Sequence, residues 1–148
     1  NSAHYHVQRN RLGGLRDAFT AAGVAWDRIP VVERFEHSVE AGASAAAEVL
    51  ALDPGVTALI ATSDVLALGA IEELTRRRQR VPEDVSVTGF DGIRDAIDAG
   101  LTTVVQPVVE KGRQAGRMLL NPARKTQGRR IMLPTTFLVG RTTGAPRV

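Results

Sequence analysis

Leu59-Ile60-Ala61-Thr62-Ser63-Asp64 and Val85-Ser86-Val87-Thr88-Gly89-Phe90-Asp91 are two apolar runs that each stop at an acid. Between them lies an Ala/Leu/Gly-rich segment with helical spacing, where Ala67, Ala70, Ile71 and Leu74 share one face. A strand, a helix and a second strand in that order make a βαβ unit with parallel strands. Both acids then sit just beyond strand carboxyl ends, the edge where open α/β sheets bind ligands. Asp64 and Asp91 give the chain the look of a receptor for a small polar molecule.

The alternation continues outward from this unit. Leu12, Leu15, Ala18, Phe19 and Ala22 form a helical stripe within residues 8–22 that ends at Gly23. Ile29 to Phe35 reads as a short strand around Val31 and Val32. Ser38 caps a helix from Val39 to about Leu52, stopped by Asp53-Pro54-Gly55, and Thr57 to Ala61 is a buried strand. Ser63 caps the next helix, Val85 to Gly89 is a strand, and a short helix near Ile93–Ala99 closes at Gly100. Thr102 to Val105 is a further strand, and Pro107 suits the first turn of a helix running to about Leu120. That helix ends at Asn121-Pro122, and Met132 to Val139 is the last strand. The pattern predicts an α/β fold with a doubly wound parallel sheet. The first helix has no strand ahead of it, so the chain reads as an excised fragment or a mature product.

A chain of 148 residues fits one domain, which should bury roughly 70% of its extended surface. It contains no cysteine, so disulfides and thiolate metal sites are excluded, in keeping with a reducing, cytoplasmic setting. No stretch approaches the ~20 apolar residues of a membrane span, and no signal-peptide pattern opens the sequence. The net charge is only +3. Basic residues cluster at Arg76-Arg77-Arg78 with Arg80, and at Arg124-Lys125 with Arg129-Arg130. The first cluster closes a helix, where cations suit the macrodipole, and the second falls in a polar loop. With few aromatics beside them, they make no stacking surface for single-stranded nucleic acid.

Residues just past the strands supply the chemistry. His37 and Ser38 follow strand 29–35, Thr62-Ser63-Asp64 follow 57–61, Phe90-Asp91 follow 85–89, and Gln106 follows 102–105. Arg9 lies at the start of the first helix. A carboxylate accepts from hydroxyls, a guanidinium donates in a fork and a ring covers an apolar face. The expected ligand set is Arg9, His37, Ser63, Asp64, Phe90, Asp91 and Gln106. Each also has a structural reading: Ser63 as a cap, Asp64 at a helix N-terminus, Phe90 as core, Asp91 as a turn residue and Arg9 and His37 as solvated surface. Catalysis has less support. There is no G-x-S-x-G elbow, no Walker loop and no G-x-G-x-x-G after a strand, while Gly13-Gly14 sits inside a helical pattern. His4 and His6 lack metal-ligand spacing and acidic partners. No catalytic residue, metal or cofactor is expected.

Three ordered stretches carry a family resemblance: Thr62-Ser63-Asp64-Val65-Leu66-Ala67-Leu68-Gly69-Ala70, Val81-Pro82-Glu83-Asp84-Val85-Ser86-Val87-Thr88-Gly89-Phe90-Asp91 and Leu101-Thr102-Thr103-Val104-Val105-Gln106-Pro107. With Arg9 to Leu15 and the tail Leu133 to Thr143, they closely resemble the LacI/GalR family of bacterial transcriptional repressors. The resemblance implies a type I periplasmic-binding-protein-like fold, present here mostly as one lobe. Residues 1–103 would form the C-terminal lobe, 104–131 a hinge crossing and a helix of the N-terminal lobe, and 132–148 the returning strand and tail. Hinges would fall near Val104–Pro107 and Gln127–Met132. It also implies a small-molecule effector, sugar-like or nucleobase-like, with operator DNA reached only through an absent helix-turn-helix, and no membrane partner. Ser63 stands where Asn is usual, His37 where an aromatic is common, and Gly92 where a second acid is frequent.

Two rivals share the α/β pattern: a solute-binding protein of a transporter, and an enzyme. The run from Val81 to Asp91 favours the repressor. Finally, Val108, Gly112, Ala115 and Leu119 share one face of the helix ending at Leu120, with Met118 beside it. An apolar face without its lobe predicts a homodimer or higher oligomer.

Overall fold

The computed structural model describes residues 2–120 and 130–145. At its centre is a four-stranded sheet in the order β1 (Ala58–Ile60), β2 (Ser86–Asp91), β3 (Thr102–Val105), β4 (Thr136–Leu138). The first three strands are parallel, with Leu59 opposite Val87 and Gly89 opposite Thr103. β4 is antiparallel to β3, with Val104 opposite Phe137, so the sheet is mixed where the sequence pattern pointed to parallel strands throughout. The register gives the reason. Thr136 pairs with Val105, the last residue of β3, so the chain re-enters at the edge it left and has to run back.

Four helices precede β3: α1 (Ser2–Ala21), α2 (Val39–Leu52), α3 (Asp64–Arg76) and α4 (Arg94–Asp98); α5 (Val108–Leu120) follows it. Both serine caps form as expected. Ser38 Oγ accepts from the Ala41 N–H at 3.1 Å, and Ser63 Oγ from the Leu66 N–H at 3.4 Å. Val85 and Val87 at the sheet centre, with Leu59 and Leu101, pack against Ala46 and Leu50 of α2 and Ala67, Ala70 and Leu74 of α3. The tail is stitched into this body. Thr142 O accepts from the Val87 N–H, while its hydroxyl accepts from the Thr102 N–H and donates to Val87 O.

The strand expected over Ile29–Phe35 does not form. The segment is extended but joins no ladder, and Val31 and Phe35 are exposed. A strand exists only through a neighbour, and a cleft separates this segment from β1. The basic residues from Arg124 to Arg129, the helix stop at Asn121-Pro122 and the start of the second hinge at Gln127 lie outside the described residues.

The first arginine cluster is ion-paired. Arg76 donates to both oxygens of Glu73 at 2.8 Å, Arg77 Nε donates to the same carboxylate, and Arg80 pairs with Asp84 at 2.8 Å. The hydrogen bonds from Arg76, then Arg77, pull the buried Glu73 carboxyl down to about 2 from 4.5. A depressed carboxyl stabilises the fold above its unfolded value and loses that effect as pH falls through its folded one. Glu73→Gln should therefore cost about 1 kcal/mol at neutral pH, the guanidiniums being partly exposed and screened. Urea unfolding across pH should show the gap shrinking between 4.5 and about 2; a gap that stays constant would contradict the pairing.

Candidate functional site

The carboxyl edge of the sheet gathers one compact polar cluster around Asp91, the last residue of β2. Gln106, directly after β3, donates from Nε2 to Asp91 Oδ1 at 2.7 Å, and its backbone N–H donates to Asp91 O. Arg11 crosses from α1, where Nη2 reaches Asp91 Oδ1 at 2.8 Å and Nη1 donates to Thr62 O. The Arg11 guanidinium also lies 3.9 Å from the centre of the Phe90 ring, a cation–π contact. Asp91 Oδ2 accepts from none of the described residues. Both side chains are part-exposed, 16% for Arg11 and 27% for Asp91, so ligand can reach a desolvated fork–carboxylate pair.

The backbone here is held in an uncommon shape. Asp91 has φ 129° and Gly92 φ 74°, conformations costly for ordinary residues and concentrated at functional sites. A Cβ at Gly92 would also meet the Val105 backbone at 2.8 Å, which accounts for glycine where a second acid is frequent. Asp64 supports this turn from beneath. Its Oδ2 accepts from the N–H groups of Gly92 at 2.7 Å and Ile93 at 2.8 Å, and its Oδ1 from Thr103 Oγ1.

The expected ligand set therefore divides. Phe90, Asp91 and Gln106 meet at one place. Asp64 is fully buried and has its oxygens engaged, so it positions the Asp91–Ile93 turn instead of facing a ligand. Ser63 is 2% exposed and spent on its cap. Arg9 is exposed and lines, with Gln8, Leu12, Val32, Thr62 and Leu66, a recess of about 100 Å³ beside the cluster. His37 is exposed next to that recess, its Nε2 2.7 Å from Gln8 Nε2. Arg11 was missed, and helical phase is the signal that finds it. Stepping back four and seven residues from Leu15 and Ala18 lands on Arg11, within the apolar stripe, whereas Arg9 falls outside it. Among the described residues no group of three potential ligands could hold a metal ion.

A model of the periplasmic binding protein-like domain matches residues 1–143. The chain belongs to that family. Its form is the one carried by LacI-type regulators. It is 48% identical over 145 residues to an HTH-type transcriptional regulator of Mycolicibacterium smegmatis, covering 98% of this chain and 40% of that protein. A LacI-family regulator from Corynebacterium glutamicum superposes with a TM-score of 0.85 at 36% identity, over 95% of this chain and 42% of that one. The regulator CelR in complex with cellobiose superposes at 0.80 with 32% identity, over 88% and 41%. The periplasmic-binding-protein-like chain described here thus spans about 40% of the length of the curated relatives it matches.

Proposed function

We propose that this chain is the effector-sensing part of a LacI-type transcriptional repressor, and that the Arg11–Asp91–Gln106 cluster over Phe90 binds a small hydroxylated or heterocyclic ligand. The observation that carries the reading is the part-exposed Asp91 carboxyl, held by Arg11 and Gln106 on a strained backbone at the sheet's carboxyl edge. A sugar matches this chemistry: its hydroxyls donate to the carboxyl and accept from the fork, and its apolar face covers a ring. A related regulator bound to cellobiose supports that class. The names of the relatives favour a repressor over a transporter's solute-binding protein.

In this reading residues 1–103 are one lobe, 104–131 pass through a hinge and a helix of the other lobe, and 132–148 return. Effector control follows if ligand binds one lobe arrangement better than another, since equal affinity shifts nothing. A thermal-shift screen of sugars, sugar phosphates and nucleobases tests the reading. A ligand at 100 times its Kd adds ~2.7 kcal/mol, or roughly 5–10 °C for a chain this size. A panel without a single shift would defeat it.

α5 bears on assembly. None of its residues is buried, and Val108, Val109, Met118, Leu119 and Leu120 are exposed, while Glu110 pairs with Arg113 and Arg117 on a polar side. Such a face needs a partner, and a second copy of the chain supplies one. Light scattering should show a dimer or larger species, and a clean monomer would oppose it.

A further inference from the structure

We propose that the cleft beside β1 is the seat of one further strand, apolar on both faces and parallel to β1, that leads into α1 by a short turn. The cleft measures about 460 Å³. One wall is the edge of β1. The Ala61 N–H bonds to Thr88 O and the Ser86 N–H to Thr57 O; backbone groups of alternate residues point oppositely in a strand. Those of Ala58 and Ile60 therefore point away from β2, into the cleft, and both residues are exposed. The opposite wall is the extended segment Ile29–Val32, which joins no ladder. Leu12, Leu15 and Phe19 of α1 line the cleft together with Ala45, Ala46 and Val49 of α2. Apolar side chains flanking an unpaired strand edge are the surroundings of an interior strand of a parallel sheet, whose residues are apolar on both faces.

Chain direction fixes the occupant's sense. Arg11 of α1 stands at the carboxyl edge, against Thr62 and Asp91, and Phe19, farther along, packs on Trp26 at 6.2 Å. From Trp26 the chain returns to the carboxyl edge, where His37 meets Gln8. α1 thus runs opposite to β1, and segment 29–37 runs along it. That is the path of a crossover helix and its following strand. A strand ending at the amino end of α1 completes the crossover, pairs with Ala58 and Ile60, and gives the 29–35 segment its missing neighbour. The relatives, of which the aligned region is only 40%, have ample chain for it.

The test extends the 148-residue chain before Asn1 with the strand Val-Ile-Val-Ile-Val and a Gly/Ser linker of about six residues. The control extension carries Asp at the two Ile positions. Amide hydrogen exchange at Ala58 and Ile60, followed by NMR, should slow at least 100-fold with the apolar extension alone. Binding of a dye that reports exposed apolar surface should fall in parallel. Unchanged exchange, equal protection by the charged extension, or aggregation of the extended chain while its parent stays dispersed would each overturn the proposal. So would protection of both amides already in the parent, because a second copy would then own the edge.

Discussion

Gly69→Val is expected to destabilise the protein by at least about 3 kcal/mol, lowering the melting temperature by roughly 10 °C. α2 and α3 approach through their backbones. A Cβ at Gly69 would fall 1.9 Å from Val39 O and 2.8 Å from Ala43 N, and one at Gly42 would fall 2.3 Å from Leu66 O. The obstructing atoms are carbonyls and amides of capped helices, not ends of flexible side chains. The helices would have to separate, opening the core around Ala46, Ala67 and Ala70. Thermal and urea unfolding measure the effect, and a loss below 1 kcal/mol would show that the helices are not so closely held.

The second large effect is expected at Asp64. Asp64→Ala removes the acceptor of the Gly92 and Ile93 N–H groups and of the Thr103 hydroxyl, in a fully buried position. Stranding buried donors costs more than the bonds themselves contribute, and a loss of about 3–5 kcal/mol is expected. Asp64→Asn should keep most of the stability, since its carbonyl can still accept from the two amides while its amino group turns to Thr103 Oγ1. Near-equal losses for the two variants in urea unfolding would contradict this role. Because Asp64 fixes the two amides after the strained Asp91, the alanine variant should also loosen the site above it.

How much of this was legible in the sequence follows from which interactions are local. The caps at Ser38 and Ser63 and the start of α5 rest on contacts within a few residues, and they read correctly. Asp91 read correctly because strand order alone places it at the carboxyl edge. Asp64 did not: both acids follow a strand, but one side chain turns inward to the β2–α4 turn, a contact 28 residues away. Arg9 and Arg11 are separated only by helical phase, and the apolar stripe that distinguishes them was at hand. The 29–35 segment has β-type residues, yet pairing is a property of neighbours, and its neighbour position is empty among the described residues. The reversal of β4 depends on where the chain re-enters after α5, which no local pattern encodes.

The central claim is that the cluster on the sheet's carboxyl edge receives a small polar effector through Asp91. Titration calorimetry of the native chain and of Asp91→Ala, with cellobiose and with the ligand giving the largest thermal shift, tests it most directly. A carboxyl accepting ligand hydroxyls contributes about 1.5–3 kcal/mol, so the variant should bind at least about tenfold more weakly, with its circular dichroism unchanged. Equal affinity in a folded variant would contradict the account.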